Sequence, residues 1–234
     1  MTSNSLIVSF EELKKLLIEA ELFKCENTTR RCSVKNDKFS QEFLSVMFDD
    51  DYERIYKVAM KNDDYDFILS DDSFLQFSIQ YCNSELDKIK IRYAYYPSPR
   101  EYLSYEEFLK ENGISFEECG YGFFEEYEQY ISESRLKKSV TPIRYDYDVD
   151  EYTSVTHPIS HLHIGMVQNF RIPSLRILEP QAFVIFVVRN MYYNNWIKLL
   201  SSEKYSEILD KSKKDKHLLR ENFDEDEKKY LFIV

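Results

Sequence analysis

The chain has 234 residues, is 43% hydrophobic and 16% aromatic, and carries a net charge of −11. That aromatic load excludes a disordered chain, and four glycines with no GxGxxG or P-loop string exclude the common nucleotide-cradling loops. The acidic balance argues against unassisted binding of long duplex nucleic acid, which rests on neutralising phosphates with Lys and Arg.

Residues 9–23 predict an amphipathic helix. Ser9 and Glu12 have the capping-box pattern, and Leu13, Leu16, Leu17, Ala20 and Phe23 recur at helical spacing. A polar stretch runs from Lys24 to Lys38, and residues 39–47 predict a short second helix. Residues 54–60, 65–69, 74–81 and 89–96 predict strands. Asp63-Asp64, Asp71-Asp72 and Asn83-Ser84 separate them and suit tight turns. Phe74, Phe77 and Ile79 break strict alternation, so the third run predicts a bulge or two buried faces. Short links between the runs favour an antiparallel meander.

Ser104 with Glu107 opens a helix that Asn112-Gly113 closes. Ser115 with Glu118 opens another, with Phe123, Phe124, Tyr127, Tyr130 and Ile131 as its apolar face. Strands at 142–149 and 160–166 follow. Pro180 to Leu200 predicts a central helix, against the strand preference of its Val-Ile-Phe-Val-Val core. Residues 201–213 continue helically, and Tyr230–Val234 is expected to dock on the core. No repeat and no linker appears. The expectation is one α+β domain over 1–234, an antiparallel meander sheet packed against helices: a helical part at 1–50, sheet with inserted helices at 51–170, and a helical part at 171–234.

Cys25, Cys32, Cys82 and Cys119 form no CxxC pair, and their spacing argues against a structural zinc. With no basic, apolar leader at the N-terminus, they read as free thiols of a cytoplasmic protein. The longest apolar run, Ala182 to Val188, falls short of the ~20 residues a membrane span needs, so no membrane partner is expected.

One segment differs from the rest. His157, His161 and His163 are three of the four histidines. Residues 156–200 carry a net charge of +3, against −13 for residues 1–155. A histidine-rich, cationic segment in an acidic protein suits an anionic ligand such as a phosphodiester; it also suits a buried centre where charge thins out. On a strand, His161 and His163 share one face while Leu162, Ile164 and Met166 share the other. Residues two apart lie about 6.5–7 Å apart along a strand, which permits acid and base on either side of a scissile phosphate, or two ligands on one metal. Upstream, Arg144, Asp146 and Asp148 share a face opposite Tyr145, Tyr147 and Val149. Asp146 or Asp148 can orient an imidazole. Arg171, just past the histidine strand, suits bidentate phosphate contact.

The run His157-Pro158-Ile159-Ser160-His161-Leu162-His163-Ile164-Gly165, with Phe170-Arg171-Ile172-Pro173 and the apolar helix, resembles a family of uncharacterised bacterial proteins, domain of unknown function 2290, over most of the chain. That resemblance implies no established activity. A second resemblance, over roughly residues 64–165, is to the small TumE-type toxins of toxin–antitoxin pairs. Asp72-Ser73-Phe74-Leu75, Arg144-Tyr145-Asp146, His157-Pro158 and His161-Leu162-His163 carry it. The chain differs from those toxins in its N-terminal helix, its inserted helices (101–133), its C-terminal helical third and its lack of a doubled His-His.

Three functions follow as expectations. The first is a metal-independent nuclease, RNA favoured, in a bacterial toxin or phage-defence setting, with no cofactor. His161 and His163 act as acid and base because imidazole titrates near working pH. Asp146 orients them, Arg171 stabilises phosphoryl charge, and Arg144, Tyr145 and His157 bind substrate, with Tyr145 or Tyr147 stacking on a base. The second is a metal-dependent hydrolase in which His157, His161 and His163, with Asp146, hold Zn²⁺, Mn²⁺ or Fe²⁺. The third is a non-catalytic subunit whose acidic, Tyr-rich surface docks on a protein partner of the same system.

Overall fold

A computed structural model describes residues 3–31, 39–81, 89–137, 139–167 and 169–202, together with 205, 226, 227 and 229. Among these the organising element is a seven-stranded sheet in which every neighbouring pair is antiparallel. Helices cover both of its faces, so the α+β expectation holds.

Helix α1 (Ser3–Glu19) begins six residues before the expected start, so Ser9 lies inside it and not at its N-terminus. Leu13, Leu16, Leu17 and Ala20 are buried as their spacing requires. Phe23 belongs instead to strand β1 (Phe23–Glu26), an edge strand inside the stretch read as polar. Helix α2 (Thr28–Arg31) follows, then α3 (Gln41–Val46), capped by Ser40, whose hydroxyl accepts from Phe43 N–H at 3.0 Å.

Residues 54–60 are not a strand. They form α4 (Tyr52–Lys61), where the Asp51 carboxylate accepts from Arg54 N–H, and Tyr52, Ile55, Val58 and Ala59 bury one helical face. The β-branched Ile55 and Val58 suggest a strand; the N-cap and the three-and-four spacing decide for helix. Strands β2 (Phe67–Leu69), β3 (Phe74–Tyr81) and β4 (Ile89–Tyr96) make the expected meander. All eight residues of β3 pair in unbroken register with β4. The broken alternation therefore reflects two buried faces, not a bulge.

The chain then leaves the sheet. Strands β5 (Arg100–Glu101) and β6 (Arg135–Leu136) form a two-stranded stem. It carries α5 (Tyr105–Glu111), α6 (Phe116–Cys119) and α7 (Phe124–Glu133). The Ser104–Glu107 capping box closes both ways, and Asn112-Gly113 ends α5 with Gly113 at φ +72°. Ser115 sits at the α6 N-cap without a side-chain bond to the first turn's N–H groups, and its hydroxyl goes to Glu117, not Glu118.

The chain re-enters the sheet as β7 (Ile143–Tyr147), β8 (Ser160–Ile164) and the two-residue edge strand β9 (Ile172–Pro173). The apolar segment after it is two helices, α8 (Pro180–Met191) with Pro180 in the first turn, and α9 (Tyr193–Leu200). Tyr192, at φ −130° and ψ 63°, breaks the single helix expected over 180–200. The expected helix at 201–213 falls largely, and the tail at 230–234 wholly, outside the described residues. So do the Asn83-Ser84 turn, Cys32 and Cys82.

The sheet divides two cores. Leu13, Leu16 and Leu17 of α1 and Phe183, Val184, Val187 and Val188 of α8 pack over Phe77, Tyr93, Tyr145 and Leu162. On the opposite face α3 and α4 pack over Ile68, Phe74, Ala94 and Tyr96. Those two short helices cover only one side of that face. Its far side, over β4, β7 and β8, carries polar side chains.

Candidate functional site

Strand alternation builds the site. With Tyr93, Tyr145 and Leu162 turned to the α1/α8 core, their neighbours Arg92, Arg144, Asp146, His161 and His163 must turn to the other face. Register then sets them in two rows across three strands: Arg92 opposite Asp146 opposite His161, and Ala94 opposite Arg144 opposite His163. Phe39, Leu44 and Phe48, from around α3, form a wall beside these rows. Arg171, His157 and Glu151 close another side. The cleft so enclosed has a volume of about 380 Å³.

At its floor the rings of His161 and His163 lean together, with centroids 4.8 Å apart. Their Nε2 atoms are 3.0 Å apart, and His163 Nε2 is 3.3 Å from Asp146 Oδ2. Strand spacing alone suggested groups on either side of a phosphate; 3.0 Å leaves no room for one between these two nitrogens. His161 Nδ1 lies 2.6 Å from the Pro158 carbonyl oxygen. A carbonyl only accepts, so Nδ1 carries the proton, and the Nε2 lone pair of neutral His161 faces His163. Arg144 Nε donates to Asp146 Oδ2 at 2.7 Å, and Arg92 Nε stands 4.0 Å from Oδ1.

The electrostatics follow from burial and these neighbours. His161 and His163 are 1% and 5% exposed. Burial first, then the His163 charge, pushes the His161 imidazole down to about 4. Burial also lowers His163, outweighing the Asp146 hydrogen bond that would raise it. For Asp146, burial would raise the carboxyl. The His163 hydrogen bond and the Arg144 and Arg92 charges outweigh it, and hold the carboxyl well below the usual carboxylate range. Both imidazoles are therefore neutral bases at pH 7 beside an ionised carboxylate.

Several polar atoms here have no protein partner. Arg92 Nε and Nη2, Arg171 Nε and His163 Nδ1 are buried without a hydrogen bond. Buried donors of this kind are normally satisfied, and three of these four belong to guanidinium groups that line the cleft. The Arg92 and Arg144 guanidinium carbons also lie over the Phe48 ring, 5.5 and 5.6 Å from its centroid. Such an arrangement can hold an anion with an aromatic face beside it.

Of the residues singled out from sequence, Asp146, His161, His163, Arg144, Arg171 and His157 all line the cleft. His157 stands apart from the converging group: its Nε2 is 3.8 Å from Glu151 and its ring meets His161 edge-on. Asp148 pairs with Lys90 at 3.0 Å and does not orient an imidazole. Tyr145 is not available to stack on a base. It is fully buried in the opposite core, with its hydroxyl 2.9 Å from Ser160 Oγ and accepting from Leu178 N–H at 3.0 Å. Tyr147, also buried there, is no stacking surface either. Gly165 does not make room for a ligand: a Cβ there would meet nothing within 4 Å, and φ of +78° is what requires glycine. Sequence reasoning missed Arg92 and Phe48. The alternation of β4 (IKIRYAYY) put Arg92 on the face opposite Tyr93, but its cross-strand partner Asp146 is 54 residues away.

The model of a family described as an uncharacterized conserved protein (DUF2290) matches residues 17–234. The chain belongs to that family. No curated protein and no solved structure matches it.

Proposed function

We propose that this DUF2290-family chain is a hydrolase that cleaves phosphodiesters, with RNA the favoured substrate. The observation that carries the reading is the meeting, in one cleft, of two neutral imidazoles and a carboxylate with guanidinium groups that have unpartnered buried N–H groups. In this scheme the His161–His163 pair takes the proton from the attacking hydroxyl or water, the new P–O bond displaces the leaving oxygen, and solvent water protonates that oxygen. Arg92 and Arg171 hold the phosphoryl oxygens and neutralise charge that grows in the transition state. Arg144 keeps Asp146 ionised and aimed at His163. Phe48, 56% exposed at the cleft rim, offers a face on which a base stacks. A bacterial toxin or phage-defence setting rests on the TumE-type resemblance alone, and a cytoplasmic one on reading the cysteines as free thiols.

The test is cleavage of end-labelled bulk RNA, wild type beside His161→Ala/His163→Ala, with and without EDTA. Cleavage by the wild type and not by the double variant supports the reading. No cleavage of RNA or DNA under any metal condition overturns it.

A second reading, a protein-docking subunit, has its own observation. Residues 101–134 carry ten acids and one base. There Phe116, Tyr121, Phe123 and Phe124 are exposed on the stem-borne helices. Acidic surface with exposed aromatics suits a basic protein partner. A stable partner complex with full biological function after alanine at His161 and His163 favours it.

A further inference from the structure

We infer that Asp146, His161 and His163 form a mononuclear site for a first-row transition-metal dication, of the Zn²⁺, Mn²⁺ or Fe²⁺ class. The ion's binding stands independently of the proposed hydrolase. With the ion bound, His161 and His163 are its ligands and the ion takes over from them the activation of the attacking water or hydroxyl; only that role rests on the hydrolase reading.

The Pro158 carbonyl accepts a hydrogen bond from Nδ1–H of His161, so the His161 Nε2 lone pair points at His163 Nε2 across 3.0 Å. The same His163 nitrogen faces Asp146 Oδ2 at 3.3 Å. This is not a relay, because a relay through His163 would use both of its ring nitrogens, and Nδ1 touches no partner. Instead three basic atoms lie within 4.8 Å of one another around one point. A proton on His163 Nε2 can bridge to only one of its two neighbours at full strength; a metal cation satisfies all three lone pairs.

The spacing suits a metal. Ligand atoms about 2.0–2.1 Å from an ion and at right to tetrahedral angles lie roughly 2.9–3.4 Å apart. The two shorter separations, 3.0 and 3.3 Å, fall in that range. The set spans 4.8 Å at its widest, beyond the roughly 4.2 Å that two such ligands can span, so the Asp146 carboxylate and the His161 ring close by about half an ångström on the ion. The surroundings suit it too. A backbone carbonyl on the far nitrogen of a ligating histidine, and a donor on a ligating carboxylate, are the supports that fix ligand tautomer and aim. Pro158 and Arg144 supply both.

Two imidazoles point away from Mg²⁺ and Ca²⁺, which prefer oxygen. Three protein ligands leave the cleft side open for water or substrate, as in catalytic sites. The guanidinium groups explain the balance of charge. One carboxylate does not neutralise a dication set among Arg92, Arg144 and Arg171, so an anion completes the site. A phosphodiester oxygen, bound by metal and arginine together, has that chemistry. His157, facing Glu151, is excluded from the ligand set that its place in the sequence suggested.

The experiment uses the full chain, stripped with chelator and titrated with Zn²⁺ and with Co²⁺, whose visible absorption reports its ligands. The expected result is one ion per chain. His161→Gln and Asp146→Asn each weaken binding by at least about tenfold and change the Co²⁺ spectrum, while His157→Ala does neither. His163→Gln is the riskier variant because the ring is buried, so circular dichroism checks its fold, and His161→Gln carries the test if it fails. Uptake no greater than that of the Asp146→Asn/His161→Gln double variant overturns the inference, and so does equal loss in His157→Ala. RNA cleavage in EDTA by a protein that takes up no metal overturns this inference and leaves the hydrolase standing. One bound ion without any cleavage does the reverse.

Discussion

The Pro158 carbonyl oxygen lies 2.6 Å from His161 Nδ1 and fixes which nitrogen of that ring meets the cleft. Nitrogen-15 NMR of the metal-free protein near pH 7 is expected to find His161 as the neutral Nδ1–H tautomer. If His161 is the base, His161→Ala lowers the cleavage rate by about 10²–10⁴-fold. His157→Ala, outside the converging group, costs less than about tenfold. Equal losses in the two variants would mean that the cleft is lined by histidines without a division of labour.

Arg92 and Arg144 both face Asp146, yet their removal should differ. Arg144 Nε makes the short bond to Asp146 at 2.7 Å, whereas Arg92 stands at 4.0 Å with two nitrogens unpartnered. Arg144→Met strips a half-buried carboxylate of its shortest charged partner and should destabilise by about 1–3 kcal/mol. Arg92→Met removes a buried, poorly paired cation while Asp146 keeps Arg144, so its cost should stay within about 1 kcal/mol. If Arg92 is an anion ligand, that variant still weakens binding of a short RNA by about tenfold or more. Urea unfolding midpoints and fluorescence anisotropy separate the two effects. A large stability loss in Arg92→Met without loss of affinity would make it a structural residue.

Much of this site could be read from local sequence, because alternation on one strand is a local rule. It placed His161 with His163, and Arg144 with Asp146, each pair on one face. It did not reveal that the two faces are one, since that depends on the β7–β8 register. Arg92 was invisible for the same reason: β4 and β7 are separated by the whole α5–α7 insertion. The edge strands β1 and β9 were missed because pairing on one side only lets Lys24 and Pro173 stand in them. The α4 misreading shows propensity losing to a cap, and the break at Tyr192 shows tertiary contact deciding where an apolar run bends. The Tyr192 hydroxyl is held 3.0 Å from both Asp71 carboxylate oxygens.

Tyr145 tests whether a site tyrosine is structural. Its hydroxyl holds Leu178 N–H and Ser160, and Ser160 in turn donates to the Arg176 carbonyl at 2.8 Å. These bonds pin the segment between β9 and α8 to the sheet. Tyr145→Phe leaves Leu178 N–H without this partner and should cost about 1–3 kcal/mol of stability. The KM for RNA and the pH profile should not change. A raised KM at unchanged stability would restore Tyr145 to the substrate surface.

The Tyr95–Tyr192–Asp71 chain predicts how the fold fails in alkali. Tyr192 donates its only hydroxyl proton to Asp71, and its oxygen lies 3.0 Å from the Tyr95 hydroxyl, which donates to Ser73 Oγ at 3.4 Å. Burial first, with Asp71 adding its charge, pushes the Tyr95 phenol up to about 12, although its hydrogen bonds to Ser73 and Tyr192 pull the other way. In the unfolded chain the same phenol titrates near 10. The raised group gives its full stability below about pH 10. Above that the unfolded state sheds a proton that the native state keeps, and stability falls until the pH passes the native value. A two-unit difference amounts to about 3 kcal/mol from this residue. Tyr192 is shifted upward as well, by burial and by Tyr95 and Asp71, and adds in the same direction. Urea melts between pH 9 and 12 should show the wild type losing stability steeply, and Tyr95→Phe, less stable at pH 8 through loss of the hydroxyl, losing it with about one proton less in the slope. Parallel curves for the two proteins would mean that the phenol already ionises in the native state and that the chain from Asp71 does not hold its proton.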